Sequence, residues 1–166
     1  MSEIDDISIR PFTAADAEEC FRIRTKAFII DFYPYLEPEA VASGINAYLP
    51  SNYMRMDEAM HAFVAADIGT IAGFYFLKIL DRSTAELALL YVRDGYKGKG
   101  IGSLLLQHME GLLRDRYPEI VHIVLDTIVP RYNGKFYEKM GFVPEHESTL
   151  CYPDLKVAAI RMSKEL

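Results

Sequence analysis

Glycines at 95, 98, 100 and 102, interleaved with Lys97 and Lys99, separate a β-type run, Leu87-Ala88-Leu89-Leu90-Tyr91-Val92, from an amphipathic run between Ile101 and Arg116. Glycine admits positive φ and lets backbone amides approach a ligand with no Cβ in the way. A helix opening at the end of such a loop aims unpaired N–H donors and partial positive charge at whatever lies before it. Strand, loop and helix start therefore make a receptor for phosphate or pyrophosphate, and the two lysines add charge to it. Spacing narrows the ligand. The dinucleotide pattern G-x-G-x-x-G fails, because from Gly98 it needs glycine or alanine at Ser103, and from Gly100 it meets Leu105. The pattern G-x-x-x-x-G-K fails as well, since Ile101 follows Gly100 where lysine is required. Two other residues carry usable chemistry near this loop: Glu86, near the start of the entering strand, and Tyr137, in Phe136-Tyr137-Glu138-Lys139-Met140-Gly141-Phe142.

The elements that must position these groups follow from periodicity. Ile7 to Phe12 alternates and stops at Pro11, a short first strand. Thr13, with Asp16 three residues on, caps a helix running to about Ile30. Phe32-Tyr33-Pro34-Tyr35-Leu36 breaks it, Glu37-Pro38 opens a second helix through Tyr48, and a third short helix runs toward Met60. From His61 the period is that of strands: a hairpin of His61–Ala66 and Thr70–Leu80, then Thr84–Val92. The helix after the loop turns Ile101, Leu104, Leu105, Met109 and Leu112 to one face, and Pro118 ends it. Ile120–Leu125 reads as a strand buried on both faces. Strand, loop, helix and buried strand make a right-handed crossover with two parallel strands. Asn133–Met140 is a short helix with Gly141 as its C-cap, and Phe142–Thr149 and Leu155–Ser163 are the last strands.

Composition bounds the rest. The 166 residues suit one domain, residues 1–166, with a sizeable core. No apolar run reaches the ~18 residues of a membrane span, so no membrane partner is expected. An acidic start without a signal-peptide core points to the cytoplasm. Cys20 and Cys151 are far apart, and His61, His108, His122 and His146 form no ligand pair on a helix face, so no metal site is expected. A net charge of −6 disfavours nucleic acid and favours a cationic or neutral substrate.

Lys97-Gly98-Lys99-Gly100-Ile101-Gly102 fits Gln/Arg-x-x-Gly-x-Gly/Ala with lysine in first place, and the Tyr137 stretch stands at the matching distance downstream. Together they resemble the acetyl-CoA signature of the GNAT (GCN5-related) N-acetyltransferases, most specifically from Leu87 to Phe142. The resemblance implies an α/β fold of GNAT type: a mixed central sheet of about seven strands with a parallel central pair, flanked by about four helices. It implies transfer of acetyl from acetyl-CoA directly to a primary amine of a small molecule or peptide, and a homodimer. It assigns pyrophosphate contacts to the backbone of Lys97, Gly98, Lys99, Gly100, Ile101, Gly102 and Ser103, and pantetheine contacts to Leu90, Tyr91 and Val92. Phe136 and Asn133 join the cofactor side, although the family's usual asparagine, seven residues before the tyrosine, is here Pro130. Asn133 has an alternative as a helix N-cap.

The same resemblance gives Tyr137 the role of general acid toward the departing thiolate. A phenol of pKa ~10 protonates a thiol of pKa ~8.5 uphill, which concerted departure eases. Glu86 is the candidate base, with an exposed strand carboxylate opposite Arg82 or Lys78 as the alternative. Phe28, Phe32, Tyr33, Tyr35, Tyr48 and Tyr53 lie where the family builds its acceptor pocket, and most read as ordinary core. Asp31 and Glu37 are candidates for holding an acceptor ammonium, with surface charge as the alternative. No cysteine falls in either motif, which favours a ternary complex over a covalent intermediate. Two rivals stand beside this reading: a non-catalytic CoA-binding sensor, and a nucleotide-dependent oxidoreductase using Asp126 at the end of its strand.

Overall fold

The structure, a computed structural model, describes residues 4–47, 49–53, 60–129, 133–153 and 155–166, with the side chains of Asp31 and Tyr53 left aside. Seven strands form one sheet in the order β1-β2-β3-β4-β5-β7-β6: β1 (Ile7–Pro11), β2 (Met60–Asp67), β3 (Thr70–Ile79), β4 (Thr84–Val92), β5 (His122–Ile128), β6 (Val143–Tyr152) and β7 (Leu155–Glu165). Neighbours pair antiparallel except β4 with β5. The helices are α1 (Ala17–Phe32), α2 (Pro38–Asn46), the single turn α3 (Pro50–Tyr53), α4 (Ile101–Arg116) and α5 (Gly134–Lys139). Among the described residues no helix is long and apolar enough to cross a membrane.

The crossover expected from the sequence is present, and it is short where it matters. β4 and β5 pair in register only at Thr84 with His122, Ala85 with Ile123 and Glu86 with Val124. Beyond Glu86, β4 stays on β3 as far as Val92, and β5 stays on β7 as far as Ile128. The two halves of the sheet therefore part. A β-bulge supplies the bend: Phe76 faces Leu89 and Leu77 faces Leu87, which leaves Ala88 as the extra residue on β4.

Each face of the sheet has its own core. On one, Leu105, Leu106, Met109 and Leu113 of α4 pack on Ala85, Leu87, Ile123 and Leu125 with Phe142. On the other, Ala17, Cys20 and Ile23 of α1 pack on Val64, Phe74, Phe76 and Leu89. A third cluster, Phe28, Phe32, Val41, Ile128 and Val157, joins α1 and α2 to the far half of the sheet. Burial of this kind contributes roughly 25 cal/mol per Å² of apolar surface removed from water.

Several boundaries differ from the sequence reading. α1 continues two residues past Ile30, and α2 stops at Asn46. The buried strand begins at His122, not Ile120, and runs to Ile128. Nor is it packed on both faces throughout, because Val124 is only half-buried and Asp126 places a carboxylate there, while Ile123 and Leu125 enter the core. Its second face borders a cavity at Asp126 and packs against α1 and α2 only at Ile128. Asp16 caps as expected, its Oδ2 accepting from the Thr13 amide at 2.8 Å and from Thr13 Oγ1 at 3.1 Å. Tyr48 and Pro130 lie outside the described residues.

Candidate active site

Where β4 and β5 part, the sheet opens into a cavity of about 630 Å³. Its floor is β4 from Glu86 to Val92, one end is the loop and first turn of α4, and its far wall is β5, α5 and the end of β6. On the β5 side, the last residues of β4 have no strand partner, so their amides and carbonyls face the gap and are available to an extended ligand.

The loop is clamped from behind. The Arg93 amide donates to the Ala72 carbonyl at 2.8 Å and Arg93 Nε to the Ile71 carbonyl at 2.6 Å, while its guanidinium pairs with Glu19 of α1. Tyr96 Oη donates to Asp67 Oδ2 at 2.8 Å, which raises the Tyr96 pKa. Lys26 meets Asp94 at 3.3 Å. Gly100 takes φ +87°, a left-handed conformation that a β-branched residue rarely adopts, and serves as the N-cap of α4. The Leu104 amide donates to the Gly100 carbonyl at 3.0 Å and starts the helical ladder. The amides of Ile101, Gly102 and Ser103 precede that ladder, and all three residues line the cavity. Gly102 lies close under Phe136: a Cβ there would stand 3.0 Å from Phe136 Cζ, so the ring would have to shift.

The cavity gathers nearly every residue singled out from the sequence. Glu86, Leu90, Tyr91, Val92, Lys97, Gly98, Gly100, Ile101, Gly102, Ser103, Asn133, Phe136 and Tyr137 all line it. Lys99 does not; its ammonium lies 5.5 Å from the centre of the Tyr96 ring. Asn133 occupies the N-cap position of α5 but makes no capping hydrogen bond, so its exposed side chain is spared for the cavity.

Tyr137 packs edge-on against Phe136 at 5.1 Å and Phe142 at 5.8 Å between ring centres. Burial, reinforced by the nearby Tyr91 phenol, pushes its pKa well above the ordinary value. The hydroxyl therefore stays protonated at neutral pH, and it is a weaker acid than a free phenol. Glu86 faces Lys78 across β3, but the two are not an ion pair within 4.0 Å; Arg82 is bound instead to Glu119 at 3.0 Å.

The aromatic wall is smaller than the sequence suggests. Phe32 lines the cavity and Phe28 is core, but Tyr33 and Tyr35 are 57% and 55% exposed. They follow the end of α1 at Phe32, on either side of Pro34, and turn outward. Glu37 is an exposed N-cap residue of α2. The side chains of Asp31 and Tyr53 lie outside the described residues. Sequence reasoning also missed residues that the fold brings in, Arg24, Leu150, Cys151 and Tyr152, and gave Asp126 only to the oxidoreductase alternative. Arg24 is buried to 2% exposure, with Nη1 donating to the Gly44 carbonyl at 2.8 Å and its guanidinium 4.6 Å from the Phe28 ring centre. Asp126 sits inside β5, where Ser148 Oγ and Arg161 hold it.

A parted parallel strand pair, beside a helix opened by glycine, defines a site for a phosphate-bearing ligand with an extended, hydrogen-bonding tail. The sequence model of the acetyltransferase (GNAT) family matches residues 15–142, and the chain belongs to that family. An uncharacterised N-acetyltransferase of Mycobacterium tuberculosis is 28% identical over 131 residues, 76% of this chain and 83% of the relative. The GCN5-related N-acetyltransferase of Rhodopseudomonas palustris superposes with a TM-score of 0.80 at 19% identity, over 96% of this chain and 95% of that one. PaiA N-acetyltransferase of Thermoplasma acidophilum, solved in complex with coenzyme A, gives 0.79 at 24% identity, over 96% and 99%. The expected fold class and the expected enzyme class, N-acetyltransferase, are both met.

Proposed function

We propose that the protein moves an acetyl group from acetyl-CoA directly to a primary amine within a ternary complex. The observation that carries this reading is the single cavity onto which the amide-lined gap of β4, the α4 start, Glu86 and Tyr137 all open. Acetyl-CoA fits the residues present: the amides of Ile101, Gly102 and Ser103 suit its pyrophosphate, with Lys97 adding charge, and the open edge of Leu90, Tyr91 and Val92 suits its pantetheine arm. When bound, it supplies a thioester already activated toward amines.

The chain supplies the proton chemistry. Glu86 removes the proton of the acceptor ammonium, directly or through water, and frees the nitrogen lone pair. As the N–C bond forms and the C–S bond breaks, Tyr137 gives its phenolic proton to the leaving sulfur, and the second proton lost by the acylated nitrogen restores the phenol through water. Its raised pKa makes a stepwise transfer uphill, so proton movement accompanies C–S cleavage. Backbone N–H groups of the parted β4 polarise the thioester carbonyl.

The test is a screen of primary amines with acetyl-CoA, following free thiol. Acceptor-dependent thiol release, with initial-rate lines that intersect when both substrates are varied, is the expected result. Thiol release independent of any amine, or CoA binding without turnover across the screen, would overturn the proposal.

A further inference from the structure

Arg93 and Asp94 follow β4 directly, and both are ion-paired to α1. Arg93 pairs with Glu19, and Asp94 Oδ2 lies 3.3 Å from Lys26 Nζ. The pairs have opposite polarity: loop cation to helix anion, then loop anion to helix cation. Glu19 and Lys26 are seven residues apart, about two turns along one face of the helix. A shift of α1 by two turns would set Lys26 against Arg93 or Glu19 against Asp94, and like charges repel. The two pairs therefore fix one position of α1 against the start of the phosphate loop. A cleft of about 270 Å³ lies between helix and loop, and Ala27, Val92 and Lys97 line both this cleft and the main cavity.

The two pairs are not equal. Lys26 and Asp94 are 62% and 51% exposed, where solvent screens an ion pair to a small contribution. Arg93 and Glu19 are 28% and 36% exposed. Arg93 is also bound to β3, by its amide to the Ala72 carbonyl and by Nε to the Ile71 carbonyl. Its guanidinium is planar and carries its donors in a fixed fork, so the position of Glu19 bears on the whole group. The Arg93 carbonyl in turn accepts from the Tyr96 amide at 3.0 Å, which closes the first turn of the loop. One residue thus joins β3, α1 and the loop.

Resting on the acetyl-CoA reading above, we propose that Glu19 is a positioning residue for the cofactor. Through Arg93 it holds the loop in its phosphate-binding form, so α1 sets the affinity for CoA. Binding free energies couple reciprocally, so CoA seated on the loop steadies α1 in turn.

The experiment titrates CoA calorimetrically into the full chain, Glu19→Ala, Arg93→Met and the double variant, each well below its melting temperature. Glu18→Gln is the control, since Glu18 pairs at 3.4 Å with Arg22 of the same helix and not with the loop. Glu19→Ala should raise the dissociation constant at least about fivefold, the lower end of the usual coupling between sites. The double variant should bind no more weakly than the weaker single, and Glu18→Gln should match the parent. Hydrogen exchange gives a second readout: saturating CoA should protect α1 amides in the parent but not in Glu19→Ala. A residue that only stabilised the fold would lower the melting temperature and move neither readout. If Arg93→Met does not fold, Glu19→Ala and the exchange data decide. Parental CoA affinity in Glu19→Ala, or additive losses in the double variant, overturns the inference and leaves the acetyl-CoA reading intact. A parent that binds no CoA sinks both.

Discussion

Tyr137→Phe removes one oxygen and keeps the ring, which makes it the most informative single change in the protein. The ring's edge contacts with Phe136 and Phe142 are retained. Among the described residues the hydroxyl has no hydrogen-bond partner to lose, so the stability change should stay within about 1 kcal/mol. Acetyl-CoA affinity should stay within a few-fold of the parent, because the loop and β4 backbone carry binding. Turnover should fall by roughly 10²–10⁴, the usual worth of a general acid, which is about 2.7–5.4 kcal/mol of transition-state stabilisation. The pH dependence adds a second readout. With its pKa raised, Tyr137 is protonated throughout the neutral range, so the parent should show no alkaline fall in rate from this group below about pH 10. The variant relies on solvent for the proton, so its deficit should narrow as pH falls. The assay is stopped-flow thiol release at saturating acetyl-CoA, with circular dichroism to confirm the fold. Parental turnover in the variant refutes Tyr137 as the acid. A large loss of CoA affinity with turnover preserved at saturation refutes it differently, by making Tyr137 a packing residue.

Acetyl-CoA at 100 times its dissociation constant should stabilise the fold by about 2.7 kcal/mol, and NADH at equal excess should not; a shift of melting temperature with NADH alone would favour a nucleotide oxidoreductase. Gly100→Val should abolish that ligand stabilisation through backbone strain at φ +87° and Gly102→Val through collision with Phe136, so unchanged CoA affinity in a folded variant would move the phosphate site elsewhere. Incubation with acetyl-CoA alone should leave Cys151 unmodified by mass spectrometry, although it lines the cavity; an acetylated Cys151 that passes its acyl group to an amine would replace the ternary mechanism. Stability should decline on both sides of neutrality. Burial lowers the pKa of His61, helped by Arg116, and of His108, so the stability they contribute is present above about pH 6.5 and lost as pH falls through their folded values. Burial raises the Tyr75 pKa, so its contribution is present below about pH 10 and lost above it. Tyr75 Oη and His108 Nδ1 meet at 3.0 Å, both held neutral by burial, and His108→Gln should flatten the acid limb in a melting series.

The readable parts of this protein were those where one local rule acts alone. Thr84–Val92 and Ile101–Arg116 have the bounds expected from the sequence, because glycines and a proline punctuate a strand and a helix of clear period. The glycine loop was legible for the same reason, since positive φ at Gly98 and Gly100 is a property of the residue type. What stayed hidden depends on two strands at once. The bulge at Ala88 has no signature in β4 itself; it exists because of how Leu87 and Leu89 register with Leu77 and Phe76. The separation of β4 from β5 is likewise no property of either strand. That separation misled the reading of Ile120–Leu125. A β-branched run looks buried on both faces, but here one face is a cavity wall, and the strand tolerates a charge at Asp126 that an all-core strand would not. Ending the strand at Leu125 put Asp126 at a strand end, where it served the oxidoreductase alternative. Inside β5, tied to Ser148 and Arg161 on the next two strands, the same residue lines the cavity. A polar residue that interrupts an apolar strand pattern without ending the strand is thus the signal that could have found it. The amide-lined loop is legible from glycine spacing, whereas the cavity side chains from β5, β6 and α1 come together only once the sheet is assembled.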